Sequence, residues 1–335
     1  MRRLLTASII SLLTYALLFG CVIDRPLSVG FLQQQIDAKL ALAATINGPK
    51  IVILAGSNGP YSHRCEVIEP ILGMPCVNGG VAVGLGLDYL FTRWKSELHA
   101  GDLVYLPMEE EQYVRTRSAT DAGPDAAIMF RHDWHTLFSL QPARWVAALF
   151  SSDLRAAVMG PLEEALIALH FHDPRIETNG ATNAWGDHVG HTAELARANE
   201  AALIAMTPHH ASAEQVCAGY GGMLIAGFAQ WATAHGIRVI GGLPTEFADS
   251  PMPEATTRAI RAIYLGNGGM FLELPNLSHY PRDAFFDSPE HLNETWQIRH
   301  SQLLAARLQW LRAPIAAVHP AGPAAPPAGR NTPTD

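Results

Sequence analysis

The sequence predicts an α/β fold whose mostly parallel sheet is covered by helices on both faces, and three observations carry that expectation. Short, largely apolar runs bounded by turn residues at 51–55, 75–77, 103–106, 237–240 and 270–274 read as strands, the first of them continuous as in a strand buried on both faces. Helical periodicity occupies intervals between them and after the last, at 85–98, 212–235, 253–264 and 291–311. The first run stops abruptly at Gly56-Ser57-Asn58, a strand-to-loop turn of the kind that carries ligands at the carboxyl ends of open α/β sheets. Strands alternating with helices imply βαβ crossovers and therefore parallel pairing. No internal repeat is visible.

Taken in order, the chain opens with Arg2 and Arg3 ahead of an uncharged stretch from Leu4 to Ile23, closed by Asp24-Arg25. About twenty apolar residues suffice to cross a bilayer, and the basic flank predicts an N-in helix with everything after Asp24 outside the cytoplasm. The stretch is long for a cleaved signal and has no clear small-x-small site, although Leu18-Phe19-Gly20-Cys21 loosely resembles a lipoprotein cleavage box. The expectation is a signal anchor over residues 1–25 in the inner membrane and a periplasmic domain over 26–312, with lipidation or ordinary cleavage as alternatives. Residues from about Ser118 to Thr207 break the strand–helix rhythm, with a helical pattern at 161–170 and turn residues at 179–190. They read as an insertion between the third and fourth core strands. The Pro/Ala-rich residues 313–335 have little with which to build a core and are expected to be disordered.

Nearly half of the 335 residues are apolar and the net charge is −8, with no Lys/Arg cluster, which argues against a nucleic-acid partner. Four cysteines are too few for a disulfide framework, and Cys21 lies in the expected anchor. Cys65 and Cys76 flank a predicted short helix in an oxidising compartment and are a disulfide candidate. Two buried thiols are the alternative.

The chemistry centres on Ser57. Asp287-Ser-Pro-Glu-His291-Leu-Asn293 supplies a carboxylate and an imidazole that complete a triad in the chain order Ser, Asp, His. The histidines of His132-Asp-Trp-His135, His170-Phe-His172-Asp173 and Asp187-His-Val-Gly-His191 match no zinc spacing and read as hydrogen-bonded or surface residues, so neither a metal nor a cofactor is expected. His63 reads as a helix-surface or capping residue. Trp134, Trp185 and Tyr113 are either sugar-stacking or core aromatics. Gly84-Leu-Gly86 lacks the third glycine and the acidic residue of a dinucleotide fingerprint, and no lysine follows Gly56-Ser57-Asn58-Gly59 to make a phosphate loop.

Gly56-Ser57-Asn58, Val77-Asn78-Gly79-Gly80 and the Asp287/His291 pair before a C-terminal helix together resemble the SGNH (GDSL-like) hydrolase superfamily. The segment from Gly101 through Pro107-Met108-Glu109-Glu110-Glu111-Gln112-Tyr113 and the ending His291-Leu-Asn293 are most similar to its membrane-anchored branch, the alginate and cellulose O-acetylation proteins, and more distantly to the teichoic-acid D-alanylation protein. The likeness spans about 50–113 and 237–311 and omits the insertion. It implies a flavodoxin-like three-layer sandwich. It also implies Ser57 as nucleophile, His291 as general base, Asp287 as orienting acid, and Ser57 and Gly80 N–H groups in the oxyanion hole. Asp287 lies four residues before the histidine where the family has three, which leaves Asp283, Glu290 or a dyad as alternatives. The family's third oxyanion donor, an asparagine after the next strand, is replaced here by Glu109-Glu110. Asn58 is the nearest substitute, and Asn78, Glu109 and Glu110 are candidate substrate contacts, with loop-holding as the other role for the two glutamates.

The expected activity is transfer of an acyl group, most plausibly acetyl, to an exported polysaccharide such as cellulose or alginate, or its removal, through an acyl-serine on Ser57. The resemblance also implies a membrane acyltransferase partner that supplies the acyl group. A general periplasmic esterase or lipase acting on small esters and a non-catalytic scaffold of a polysaccharide-export complex are the alternatives.

Overall fold

The computed structural model describes residues 1–18, 27–151, 162, 165, 169 and 181–312. Five strands form one parallel sheet: β1 (Ile51–Ile53), β2 (Cys76–Asn78), β3 (Leu103–Leu106), β6 (Arg238–Gly242) and β8 (Met270–Leu272), in the order β2-β1-β3-β6-β8. That order runs one way from β1 to β2 and the other way from β3 onward, so the chain reverses its winding between β1 and β3. Such a switch point leaves a crevice at the carboxyl ends of the strands. All five strands coincide with the five apolar runs, because a strand covered on both faces leaves no polar alternation to obscure it.

Side chains alternate between the two covers. Val52, Val77, Val104 and Val239 face a core shared with helices Leu27–Ala44, Leu87–Lys95, Tyr220–Ala234 and Glu254–Leu265. Ile51, Ile53, Cys76, Leu103, Tyr105 and Ile240 face the other core, closed by helices Cys65–Leu72 and Glu294–Arg312. The result is a three-layer sandwich of flavodoxin-like strand order. A fully buried ion pair, Lys50 Nζ to Asp102 Oδ2 at 2.9 Å, ties the entrance of β1 to that of β3.

The first part of the expected insertion belongs to the first core. Helix Pro124–His132 buries Ala126, Ile128 and Met129 completely, and Arg144 reaches in from helix Pro142–Leu149 to pair with Asp125. Two short strands, β4 (Ala181–Thr182) and β5 (His188–Val189), make a small antiparallel pair within the turn-rich 179–190 stretch. A further parallel pair, β7 (Glu246–Phe247) with β9 (His279–Tyr280), joins two loops beyond the sheet's carboxyl edge. Neither pair has an apolar run that a sequence pattern would mark.

Two expectations change. The helix expected at 212–235 is two helices, Ala213–Ala218 and Tyr220–Ala234, separated by Gly219 in an extended conformation (φ −68°, ψ 136°). Gly219 and Gly221 lie against the Tyr113 and Gln112 carbonyls too closely for any side chain, so the break lets the backbone pass the segment after β3. At the N-terminus, no helix among the described residues is long and apolar enough to cross a membrane. Helix Arg2–Leu17 has 16 residues, about 24 Å at 1.5 Å per residue, against a hydrocarbon core of about 30 Å. The expected span runs on into residues 19–23, outside the described residues. So do Cys21, the His170/His172 cluster, nearly all of 161–170 and the 313–335 tail.

Candidate active site

Ser57 sits one short turn beyond β1, at the N-cap of helix Asn58–Ser62. It lines a cleft of about 440 Å³ together with Glu109 after β3, Thr245 and Glu246 after β6, and Ser288 to His291 before the C-terminal helix. The cleft therefore lies where the strand order reverses, at the carboxyl ends of β1, β3 and β6.

His291 is held from two sides. Its Nδ1 and Asp287 Oδ1 are 2.7 Å apart, and its ring stacks on Tyr61 with centroids 4.1 Å apart and planes 14° apart. The Asp287 bond takes the Nδ1 proton and leaves Nε2 as the basic nitrogen. The four-residue spacing is absorbed by a closed loop in which the Phe286 N–H donates to the His291 carbonyl (2.8 Å) and Phe285 bridges Leu292. Asp287 is thus the imidazole's partner; Glu290 lines the same cleft without a hydrogen bond to the ring, and its carbonyl accepts from Ser62 and Thr245, while the Asp283 carbonyl accepts from Asn293.

Ser62 connects the two halves of the site. Its hydroxyl donates to the Glu290 carbonyl (2.6 Å) and accepts from the Leu292 N–H (3.2 Å), binding the nucleophile helix to the histidine loop. Gln297 donates to the Pro60 carbonyl (2.6 Å), and Asn293 accepts from the Trp296 N–H at the start of helix Glu294–Arg312. These contacts hold Ser57 and His291 on one cleft wall. No hydrogen bond joins the two side chains in this structure.

The other expected site residues divide sharply. Asn78 is fully buried and its amide donates to the Gly59 and His63 carbonyls and to Asp187, so it braces the turn that carries Ser57 and does not line the cleft. Asn58 is also buried and its amide donates to the Pro107 carbonyl (2.6 Å), which turns it away from the oxyanion position. Gly80 packs against Gly56 and Gly59, where a Cβ would meet the Gly56 oxygen at 2.8 Å, but its N–H turns back toward Asn78 Oδ1 (3.4 Å) and it does not line the cleft. Cys65 and Cys76 are bonded, their Cα atoms 5.2 Å apart, joining the helix after the nucleophile turn to β2.

Glu109 reaches the cleft almost wholly buried. Its Oε1 lies 3.3 Å from the Asn58 N–H and directly over Gly56, where no side chain would fit. Burial, reinforced by Glu290, pushes its pKa up to about 7 against the opposing pull of His291 and the Asn58 N–H. Glu110 instead anchors a loop, accepting from His210 Nδ1 and from the Ala211 N–H, each at 2.6 Å. Glu246 accepts from the Met252 N–H, and burial pushes it to about 7 as well.

Among the described residues, Glu110, His210 and Glu246 form the grouping with ligand-like geometry, their donor atoms within 4.8 Å of one another. His210 has both nitrogens engaged, Nδ1 with Glu110 and Nε2 with the Ser250 carbonyl at 2.9 Å. Two acceptors on one ring call for an imidazolium; burial, the largest single effect, opposes that charge, but Glu110, the Ser250 carbonyl and Glu246 together raise the pKa. The cluster is a protonated clamp and fits a metal poorly.

The histidines near the cleft are structural in character. His63 is the C-cap of helix Asn58–Ser62, its N–H donating to the Gly59 carbonyl, so the capping reading holds and the surface one does not: the side chain is fully buried, its Nε2 meets His300 Nε2 at 3.2 Å, and His300 Nδ1 is in turn 2.8 Å from the Tyr280 hydroxyl. Burial lowers His63 to about 4. His188 stacks on Tyr61 at 4.2 Å and His191 abuts the same ring edge-on, and burial holds them neutral, at about 3 and about 4. Tyr113 is core, Trp185 is packed and bonded to Glu69, and Trp134 is half exposed on a distant helix. Tyr61, Ser62 and Gln297 went unnoticed in the sequence. Tyr61 lies four residues after Ser57, at helical spacing, which is the signal that points to it; Ser62 and Gln297 have none.

The chain matches no family model, no curated protein and no solved structure.

Proposed function

We propose that this protein is a serine-dependent acyltransferase or esterase of the SGNH kind, working through an acyl-serine on Ser57. The observation that carries the reading is the Asp287–His291 pair, bonded at 2.7 Å and opening on the same cleft as a serine placed at the end of the first central strand. In the cycle, His291 Nε2 takes the hydroxyl proton as Ser57 Oγ attacks the acyl carbon. It returns that proton to the departing oxygen, and a sugar hydroxyl or water then releases the acyl group by the reverse sequence.

The acceptor we favour is an uncharged exported glucan such as cellulose over a polyuronate such as alginate. Glu109, Glu110, Glu111, Glu246 and Glu290 line the cleft with no lysine or arginine among its lining residues. Carboxyl groups hydrogen-bond neutral sugar hydroxyls in either charge state, and those that are ionised repel a polyanion. The protein is proposed to act at the periplasmic face of the inner membrane, alongside a membrane acyltransferase that delivers the acyl group. Helix Arg2–Leu17 supports this placement, because Leu4, Leu5, Ile9 and Leu13 are all exposed behind a basic start. The test is acetyl-ester turnover by the full-length protein beside Ser57→Ala: loss of turnover in a folded mutant is the expected result, and retention would eliminate the serine mechanism.

A further inference from the structure

The cleft contains few donors for an oxyanion. Acyl transfer at Ser57 drives negative charge onto the former carbonyl oxygen, which needs hydrogen-bond donors within about 3 Å. The Ser57 N–H has no partner among the described residues and can serve. The Asn58 amide is committed to the Pro107 carbonyl, the Gly80 N–H faces Asn78, and the Asn58 N–H faces Glu109. The polar side chain that adjoins the Gly56-Ser57-Asn58 turn from across the switch point is therefore the Glu109 carboxyl.

We propose that Glu109 is a catalytic residue acting as a neutral carboxylic acid, donating a hydrogen bond from one oxygen to the acyl oxyanion while its other oxygen accepts from the Asn58 N–H. The inference rests on the Ser57 reading above. Its geometry suits the role: Glu109 Oε1 is fixed over Gly56 by the Asn58 contact, and its backbone is fixed by the Glu109 N–H to Gln112 Oε1 bond at 3.1 Å. An ionised carboxylate at that position would oppose the oxyanion and face Glu290 across the cleft. A protonated one supplies the missing donor, and the pattern of a carboxylic acid kept neutral by an apolar site to serve an oxyanion hole has precedent.

The electrostatic surroundings favour the acid form. Glu290 and Glu111 raise it, Glu110 and Glu246 line the same cleft, and His291 and the Asn58 N–H oppose the shift, with His210 paired to Glu110. In the step itself, Ser57 Oγ forms a bond to the acyl carbon, the carbonyl pair moves to oxygen, and the serine proton goes to His291 Nε2. Glu109 keeps its proton throughout. When the intermediate collapses, the pair returns, the leaving oxygen departs and collects the proton from His291.

The test uses full-length protein in detergent with p-nitrophenyl acetate, over pH 5 to about 9 on the usual histidine and carboxyl ranges, comparing wild type, Ser57→Ala, Glu109→Gln and Glu109→Leu. Wild-type kcat/KM should fall as pH rises through about 7, the Glu109 range. Glu109→Gln keeps a donor, so it should lose roughly tenfold or less and lose that alkaline fall; Glu109→Leu should lose about 10² to 10³-fold, the usual effect of removing one oxyanion donor. Infrared difference spectra of the folded protein near pH 6, about a unit below the Glu109 range, should show a protonated carboxyl band that Glu109→Gln removes, a readout independent of turnover and of whether Glu109→Leu folds. Abolition of turnover by Glu109→Gln would assign Glu109 to proton transfer and overturn the proposal. So would Glu109 variants with the wild-type rate and pH profile while Ser57→Ala is dead. Turnover no greater in wild type than in Ser57→Ala would sink the Ser57 reading and this inference with it.

Discussion

Asp187 should be a large stability determinant although it lies in a segment that carries no strand or helix pattern. Its carboxylate accepts four hydrogen bonds: from the Cys65 N–H (2.8 Å), the Glu66 N–H (3.1 Å), Asn78 (2.9 Å) and Asn183 (3.2 Å). The first two cap helix Cys65–Leu72, whose own N-cap residue, Arg64, makes no side-chain cap bond. In Asp187→Ala, Asn78 keeps the Gly59 and His63 carbonyls and half-buried Asn183 rehydrates, so the loss falls on two backbone donors. Leaving a buried donor unsatisfied costs about 1–3 kcal/mol and losing a cap about 1. Relief of the carboxylate's own burial, which raises its pKa, offsets part of this. Lys39, held down to about 7 by burial and supported by Asp187, loses that support. The balance is about 2–4 kcal/mol, and at about 2–4 °C per kcal/mol for a domain of this size Tm should fall by roughly 4–16 °C. Asp187→Asn should be nearly as damaging, since its amide would point N–H at N–H. Urea and thermal unfolding of both variants measure this. A loss under about 1 kcal/mol in either would refute the capping argument.

Three further outcomes follow from named contacts. Lys50→Met leaves Asp102 buried without its counter-ion, and denaturant unfolding should show a loss of about 3–5 kcal/mol with ester turnover per folded molecule preserved. Tyr61→Phe should keep near-normal turnover because the stack on His291 survives. Tyr61→Ala should lose about tenfold in kcat/KM, in line with the roughly 0.5–1.5 kcal/mol of such a stack. Because Glu109 has a folded pKa of about 7, above its unfolded value, the native state binds the extra proton between about 4.5 and 7. Wild-type stability relative to Glu109→Gln should therefore be greatest at acid pH and decline through that window, by on the order of 3 kcal/mol, in paired melts; a flat difference would show that Glu109 is not protonated on folding.

The sheet was legible because most of its strand positions are covered on both faces and so appear as short, mainly apolar runs, most clearly Ile51–Ile53 and Leu103–Leu106. The helices were legible from periodicity, apart from Gly219, whose break answers to the Tyr113 carbonyl across the fold. Ser57, Asp287 and His291 could be named from residue type and order, yet the spacing of the last two could be judged only once the Phe286 to Leu292 loop closed. What sequence could not supply was direction. Asn58 and Asn78 are the right chemical type for an oxyanion or sugar contact and both point inward, while Glu109 is the wrong type when ionised and points at the site. Its charge state depends on burial and on charges more than a hundred residues away, Glu290 raising its pKa and His291 lowering it. The N-terminal apolar stretch is readable as composition, but the described helix is too short to span a bilayer and leaves the anchor a proposal.

The central claim is that Ser57 carries the acyl group, and the most direct measurement is to trap it there. Full-length protein quenched in acid during turnover of an acetyl ester, then digested and mapped by mass spectrometry, should show one acetyl increment on the peptide that contains Ser57. The increment should be absent from Ser57→Ala and diminished in Asp287→Ala, because the imidazole loses its orienting carboxylate. Turnover with no acyl adduct on that peptide, or an adduct on another residue that survives Ser57→Ala, would contradict the account.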